Sequence, residues 1–230
     1  MKTIGLLGGM SWESTVDYYR IINEEVRKRL GDLHSAKILM YSFDFRDIEI
    51  LQKEGKWKEA ADVLADESKK LETAGADCIL ICTNTMHKLA DNVQERIDIP
   101  LLHIVDVTAE KIKSKNLKKI GLLGTKFTME EDFYHGRLQK KYGFDVVIPE
   151  KNEIHVVNDI IFKELCMGIK KKESKEQLMS IINDLKLKGC EGVILGCTEL
   201  PLLIKQEDVK IPVFDTTEIH AIAAVDFALK

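Results

Sequence analysis

Two segments of this chain are near copies of each other. Gly75 to Asn84 reads G-A-D-C-I-L-I-C-T-N and Gly189 to Thr198 reads G-C-E-G-V-I-L-G-C-T, an offset of 189 − 75 = 114 residues. The likeness extends further. Ile4 to Gly8 and Ile120 to Gly124 both read I-G-L-L-G (120 − 4 = 116), Ile99-Pro100 recurs as Ile211-Pro212 (211 − 99 = 112), and Phe45-Arg46 recurs as Phe162-Lys163 (162 − 45 = 117). Landmarks in the same order at nearly constant spacing indicate a duplicated α/β unit, and with it a site built from two facing halves. One copy ends in Thr83-Asn84 and the other in Cys197-Thr198, so the symmetric chemistry has been altered at one position.

Each half alternates between strand and helix patterns. Lys2 to Leu7 is a short apolar run stopped by Gly8-Gly9, which fits a buried strand. Ser11 to Leu30 follows as a helix carrying Trp12, Val16, Tyr19, Ile22, Val26 and Leu30. Ile38 to Ser42 is a second strand. Trp57, Ala61, Leu64, Ser68 and Leu71 mark one face of a helix that Gly75 can terminate, and Cys78 to Cys82 is a third strand. The second half repeats the order: Ile120 to Leu123 as strand, Met129 to Tyr142 as helix, Val146 to Ile148 as strand, Glu173 to Lys188 as helix and Val193 to Leu195 as strand. The alternation predicts parallel sheets covered by helices, with function at the loops after the strands' C-terminal ends. Thr83 to Thr85 and Cys197 to Glu199 lie at such ends.

Composition narrows the partners. With 230 residues, 45% of them hydrophobic and 31% charged, and a formal net charge of −4, the chain suits one large core or two lobes. No strongly basic stretch supports a nucleic-acid or membrane partner, and the Lys170-Lys171-Lys172 run is short enough to be a solvated loop or helix end. The apolar run at the N-terminus is too brief for a signal peptide or membrane span, which points to the cytoplasm. Five cysteines, an odd count without an export signal, argue against structural disulfides. Cys82, His87 and Cys197 lack C-x-x-C or H-x-x-x-H spacing, so no metal is expected.

If the halves pack with pseudo-twofold symmetry, Thr83 and Cys197 face each other across one cleft, and a carbon held between them is open to proton transfer on both faces. A thiol, with a reference pKa of about 8.5, can act as a base near neutral pH when its surroundings lower that value. A threonine hydroxyl cannot do so unaided. Asn84, Thr85 and Thr198, with Thr125 and Thr128 after the second I-G-L-L-G, are short uncharged groups suited to holding a carboxylate. The turn Gly8-Gly9-Met10-Ser11 could offer backbone N–H groups to an anion. Arg46 and Lys163, paired by the repeat, suit a second carboxylate distant from the reacting carbon, or are surface charges. His87 and Glu199 are placed to tune the thiol, and His87 equally fits a satisfied histidine on the following helix. Nucleophilic attack by Cys197 is the competing chemistry.

These residues resemble the aspartate/glutamate racemase superfamily over essentially the whole chain, closest to its aspartate racemase branch. The specific parts are Gly8-Gly9-Met10-Ser11, Asn84-Thr85 and Gly196-Cys197-Thr198-Glu199. The resemblance implies two similar parallel-sheet α/β lobes related by pseudo-twofold symmetry, residues 1–98 plus 213–230 and residues 99–212, with the active site in the cleft between them. It implies no cofactor, pyridoxal phosphate included, a small dicarboxylic amino acid as substrate, and a homodimer. By the same resemblance, Thr83 and Cys197 are the catalytic pair and Met10, Ser11, Thr125 and Thr128 join the substrate site. Asn84, Thr85 and Thr198 match residues that hold the α-carboxylate, and Arg46 and Lys163 match cations near the side-chain carboxylate. The departure is Thr83, which stands where the superfamily has the first of two cysteines. Cys82 is a poor substitute, because a shift of one residue on a strand turns a side chain to the opposite face. The pattern is similar to racemases of broad specificity, or specific for L-aspartate and L-glutamate, that carry threonine here. One-cysteine decarboxylases and maleate isomerases of the same superfamily, and a non-catalytic amino-acid-binding protein, are the alternatives.

Overall fold

The computed structural model describes residues 1–230 and divides into two compact units, residues Met1–Ile104 with Thr217–Lys230, and Val105–Thr216. In the first unit a parallel sheet has the order β2-β1-β3, from β1 (Thr3–Gly8), β2 (Lys37–Ser42) and β3 (Cys78–Ile81). Helices α1 (Trp12–Leu30), α2 (Phe45–Lys53), α3 (Trp57–Thr73) and α4 (Ala90–Gln94) follow their strands, and α5 (Ile104–Lys113) leads into the second unit. Alternation along each strand sends side chains to two different cores. Ile4, Leu6, Cys78, Leu80 and Cys82 pack with Tyr18, Ile22 and Val26 of α1 and with Ala221, Ala224 and Val225. Leu7, Ile79 and Ile81 face the other way, against Ala60, Leu64 and Leu71 of α3.

The second unit has a parallel sheet of order β5-β4-β6-β7, from β4 (Lys119–Gly124), β5 (Asp145–Val147), β6 (Gly192–Gly196) and β7 (Val213–Asp215). Its helices are α6 (Lys126–Glu130), α7 (His135–Tyr142), α8 (Lys151–Lys163) and α9 (Lys172–Leu187); α10 (Thr216–Ala228) carries the chain back to the first unit. Leu123, Val193 and Leu195 form one core with Ile154, Val157 and Ile161 of α8 and Leu178, Ile182 and Leu185 of α9.

The duplication is visible in the strand register. Ile4 pairs with Cys78 in the first sheet and Ile120 with Gly192 in the second, so each I-G-L-L-G strand lies beside its copy of the repeated segment. The Ile-Pro pairs are equivalent as well. The Pro100 carbonyl accepts from Ile79 N–H at 3.0 Å and the Pro212 carbonyl accepts from Val193 N–H at 2.9 Å. Beyond Pro100 the chain makes a single bridge, Ile79 to Leu101, where the second unit has the full strand β7.

Three sequence expectations are corrected. The helix expected over Met129 to Tyr142 is two helices, because Glu131 adopts an extended backbone (φ −94°, ψ 147°) and Tyr134 is fully buried between them. Thr125 caps the first by accepting from Thr128 N–H. The match of Phe45-Arg46 with Phe162-Lys163 is not one of equivalent positions: the first pair opens α2 and the second closes α8. On α1, Trp12, Val16 and Tyr19 are more than half exposed, and the buried stripe runs through Ser14, Thr15, Tyr18, Ile22 and Val26. No helix is long and apolar enough to cross a membrane.

Candidate active site

Candidate residues of the first unit gather beyond the C-terminal ends of β1 and β3, which are neighbours with Leu7 paired to Ile81. The turn after β1 needs glycine at position 9. Its φ is +82°, and a Cβ there would stand 2.4 Å from the Phe43 carbonyl oxygen. Gly9 N–H donates to Thr15 Oγ1 at 2.9 Å, and Thr15 Oγ1 donates to the Ser11 carbonyl at 2.7 Å. This turn's glycine N–H is therefore committed to the fold, while Met10 and Ser11 are buried beside it.

After β3 the chain passes through Cys82, Thr83, Asn84 and Thr85, all buried, into a 3-10 turn over Thr85–Leu89. Cys82 belongs to the core beneath α1, so its thiol is turned away from the position of Thr83. Burial pushes the Cys78 thiol up to about 12 and the Cys82 thiol further still, and both are inert as bases.

Thr83 is held through its backbone. His87 Nδ1 lies 2.7 Å from the Thr83 carbonyl, and Ile104 N–H donates to His87 Nε2 at 3.1 Å. A carbonyl only accepts and an N–H only donates, so His87 is neutral with its proton on Nδ1. His220 lies against it, ring centroids 5.6 Å apart, with Nε2 at 2.7 Å from the Leu102 carbonyl and Nδ1 at 2.8 Å from Tyr18 Oη. By the same logic His220 is neutral, donating from Nε2 and accepting from the phenol. Burial first, then the neighbouring His87, lowers its pKa from 6.5 to about 3. This layer of histidines was not visible in the sequence, where 220 − 87 = 133 residues separate its members; only His87 was singled out there.

Candidate residues of the second unit follow β4 and β6, again neighbours, with Gly124 paired to Gly196. Thr125 Oγ1 lies 3.2 Å from Thr128 Oγ1, and Thr128 packs on both glycines. Cys197 continues the face of Val193 and Leu195 into the core shared with α8 and α9. Its Sγ donates to Glu199 Oε2 at 2.9 Å, and Thr198 Oγ1 donates to the same oxygen at 3.1 Å. Burial, the charge of Glu199 and the proximity of Cys166 push the Cys197 thiol well above its ordinary value. Counting from the paired landmarks, 78 + 5 = 83 and 192 + 5 = 197, so Thr83 and Cys197 occupy equivalent positions of the two sheets.

The two cations sit differently. Arg46, 70% exposed, pairs with Glu49 at 2.8 Å within α2, and Lys163, 71% exposed, pairs with Asp159 at 2.8 Å within α8. Neither is joined by hydrogen bond or ion pair to the buried threonines, and surface pairs of this kind are worth about 0–1 kcal/mol, little enough to exchange for another carboxylate.

The family model described as Asp/Glu/Hydantoin racemase matches residues 7–224. The chain belongs to this family. The family is one of racemases, and the protein is an enzyme of that type, an isomerase. Within the family its likeness is to the aspartate racemase branch. It is 51% identical to the crystal structure of a candidate Asp/Glu racemase from Yersinia pestis, at a TM-score of 0.93, with 100% of both chains covered. An aspartate racemase homologue from Pyrococcus horikoshii is 40% identical at a TM-score of 0.86, again over 100% of both chains. The broad specificity amino-acid racemase RacX of Bacillus subtilis is 26% identical over 231 residues, 96% of each chain.

Proposed function

We propose that the protein converts L-aspartate or L-glutamate to the D-form, with Cys197 removing the α-proton and a proton returning from the side of Thr83. The observation that carries this reading is the equivalence of Thr83 and Cys197 in the two sheet registers: matched positions suit opposite faces of one carbon, and only one of them holds a thiol. Asn84, Thr85 and Thr198 hold the α-carboxylate, Met10, Ser11, Thr125 and Thr128 complete the pocket, and Arg46 and Lys163 exchange their surface partners for the side-chain carboxylate. His87 is not the source of the returning proton, because its one N–H is committed to the Thr83 carbonyl. The proton arrives through water relayed by the Thr83 hydroxyl.

The five free cysteines support a reducing, cytoplasmic setting, and the exposed Trp12, Val16 and Tyr19 of α1 suit burial against a second copy. Sedimentation of the purified protein at twice the chain mass, reduced by Tyr19→Glu, is the expected behaviour of such a homodimer.

The activity is tested by NMR of L- and D-aspartate and glutamate in deuterated water, with chiral analysis of the products. Loss of the α-proton signal from L-substrates with D-product accumulating is expected, and Cys197→Ala should abolish both. Equal rates in Cys197→Ala would sink the reading. A single thiol also suits decarboxylation of a malonate with protonation of one face; carbon dioxide release without α-exchange in any amino acid would select that chemistry.

A further inference from the structure

Two histidines gather the two places where the chain passes between the units. The first unit stops at Ile104 and resumes at Thr217. On the outgoing passage, Ile104 N–H donates to His87 Nε2 at 3.1 Å and the His103 ring lies against His87, centroids 4.8 Å apart. The Leu102 carbonyl of the same passage accepts from Nε2 of His220, which belongs to α10 on the return passage. His87 is 3% exposed, and its other nitrogen, Nδ1, donates to the Thr83 carbonyl at 2.7 Å. A neutral imidazole carries one proton, and the nitrogen that accepts a hydrogen bond leaves the other to donate. The Ile104 N–H therefore fixes the tautomer in which Nδ1 holds Thr83.

The repeat supplies an internal comparison. Since 83 + 114 = 197 and 87 + 114 = 201, Pro201 stands where His87 stands in the other copy, and its side chain has nothing to donate. The Cys197 carbonyl, equivalent to that of Thr83, instead accepts from the backbone N–H of Leu200 at 3.2 Å. The imidazole strut belongs to one copy only, the copy without the thiol. A hydroxyl that relays a proton has to stay in line with a water on one side and the reacting carbon on the other. Misplacement by about 1 Å costs such a step about 100-fold.

We propose that His87 is a positioning residue for the return of the proton, an inference that rests on the function proposed above. Held as the Nδ1-protonated tautomer by the Ile104 N–H, it fixes the Thr83 backbone and with it the direction of the Thr83 hydroxyl. It gives up and takes up no proton in the turnover, because its single N–H stays on the Thr83 carbonyl throughout. The chain passage at Leu102 to Ile104 is thereby part of what orients the group on one face of the substrate.

The test uses His87→Ala, which removes the strut, and His87→Asn, which restores a donor at the place of Nδ1 without the reach to Ile104. Circular dichroism first establishes that each is folded. L-aspartate and L-glutamate are then incubated with each protein in deuterated water, and two products are measured by NMR and chiral chromatography. Deuterated L-substrate reports a proton removed and replaced on the Cys197 side; deuterated D-product reports replacement on the Thr83 side. In His87→Ala the ratio of D-product to deuterated L-substrate should fall by about tenfold or more. His87→Asn should bring it back to within about threefold of the wild type, since its amide can donate to the same carbonyl. A merely structural histidine would lower both products alike, and an unchanged ratio in His87→Ala overturns the proposal. So does a ratio in His87→Asn no better than in His87→Ala. Should neither variant fold, the wild-type protein carries the test: correlation of the imidazole nitrogens with their protons near neutral pH is expected to show His87 neutral and protonated at Nδ1, and a proton on Nε2 overturns the proposal. A wild-type protein that exchanges no α-proton of either amino acid defeats the racemase reading and this proposal with it, whereas wild-type racemisation with an unchanged ratio in the variants defeats this proposal alone.

Discussion

Replacing His220 by glutamine should remove a defined part of this protein's sensitivity to acid. His220 is fully buried, its Nε2 donates to the Leu102 carbonyl and its Nδ1 accepts from Tyr18. Protonation would make Nδ1 a donor, so the phenol could no longer donate to it, and would place a charge where water cannot reach. Burial accordingly lowers the pKa from 6.5 to about 3. Between those values the unfolded chain binds a proton that the native protein does not, so stability rises with pH through that window. The contribution is present in full above pH 6.5 and is lost as pH falls toward 3. From pH 7.5 to pH 5.0 the loss from this one group is RT ln(1 + 10^1.5), about 2 kcal/mol, growing to about 4 kcal/mol near pH 3. Both tryptophans, Trp12 and Trp57, lie in the unit that contains His220, so their fluorescence reports the unfolding of that unit in urea. Glutamine at 220 should cost about 1–3 kcal/mol at pH 7.5 through disturbed hydrogen bonds. Between pH 7.5 and 5.0, however, the variant should lose about 2 kcal/mol less than the wild type. Equal losses in the two proteins would refute the reasoning, since they would mean that His220 is protonated as readily folded as unfolded.

Three further outcomes are expected. Thr83→Cys restores a thiol at the position equivalent to Cys197 and should speed the loss of the α-proton from D-aspartate or D-glutamate in deuterated water; if D-substrates exchange no faster than with the wild type, the missing thiol is not what limits proton transfer on that face. Cys82→Ala should leave the exchange rate within about twofold of wild type, because this thiol lies in the core beneath α1, and a tenfold loss would show that it reaches the substrate after all. Gly9→Ala forces a side chain into a positive φ against the Phe43 carbonyl. It should destabilise by about 2 kcal/mol or more, which is about 4–8 °C in thermal midpoint; an unchanged melt would contradict the geometry.

Six of the seven strands were legible in chain order because each is a short apolar run ended by a glycine or a polar cluster, and the repeat announced the second set once the first was read; β7 was not among them. The Ile-Pro landmarks proved to be equivalent hydrogen-bonding positions on the strands they flank, which a dipeptide at constant spacing can signal. The pairing of Arg46 with Lys163 was of another kind. Helix positions drift when α2 and α8 differ in length, so a matched dipeptide on helices says little about location. The break between α6 and α7 escaped notice because apolar spacing continues across Glu131, and the helix is ended by the burial of Tyr134, a tertiary event. The exposed apolar residues of α1 could not be told from its buried ones, since both follow a helical spacing and the protein buries a polar stripe through Ser14 and Thr15 instead. Glu199 was singled out beside the thiol, but the route by which its carboxylate reaches Cys197 was not legible. Residues two apart on a strand share a face, but here it is the turn after β6, with Glu199 in a helical conformation, that swings the carboxylate onto the sulfur.

These details bear on how differently the two faces of the substrate are served in the proposed reaction. The two units are built alike where backbone is concerned: the same strand register, the same glycine at the end of β1 and β4, the same carbonyl of a proline caught by the same strand position. They differ in the side chains beyond those strand ends. One copy presents Thr83, Asn84 and Thr85, none of which can carry a charge at neutral pH, above a histidine whose ring nitrogens are already engaged. The other presents Cys197, Thr198 and Glu199, in which a proton has two places to reside 2.9 Å apart. A group that can store a proton can act as a base; a group that can only relay one depends on solvent. The asymmetry proposed between the groups on the two faces of the substrate therefore needs no difference in fold between the units, only the loss of proton-storing capacity from one of two equivalent positions. Restoring a thiol at position 83 tests that statement directly, because it changes this capacity and leaves the register untouched.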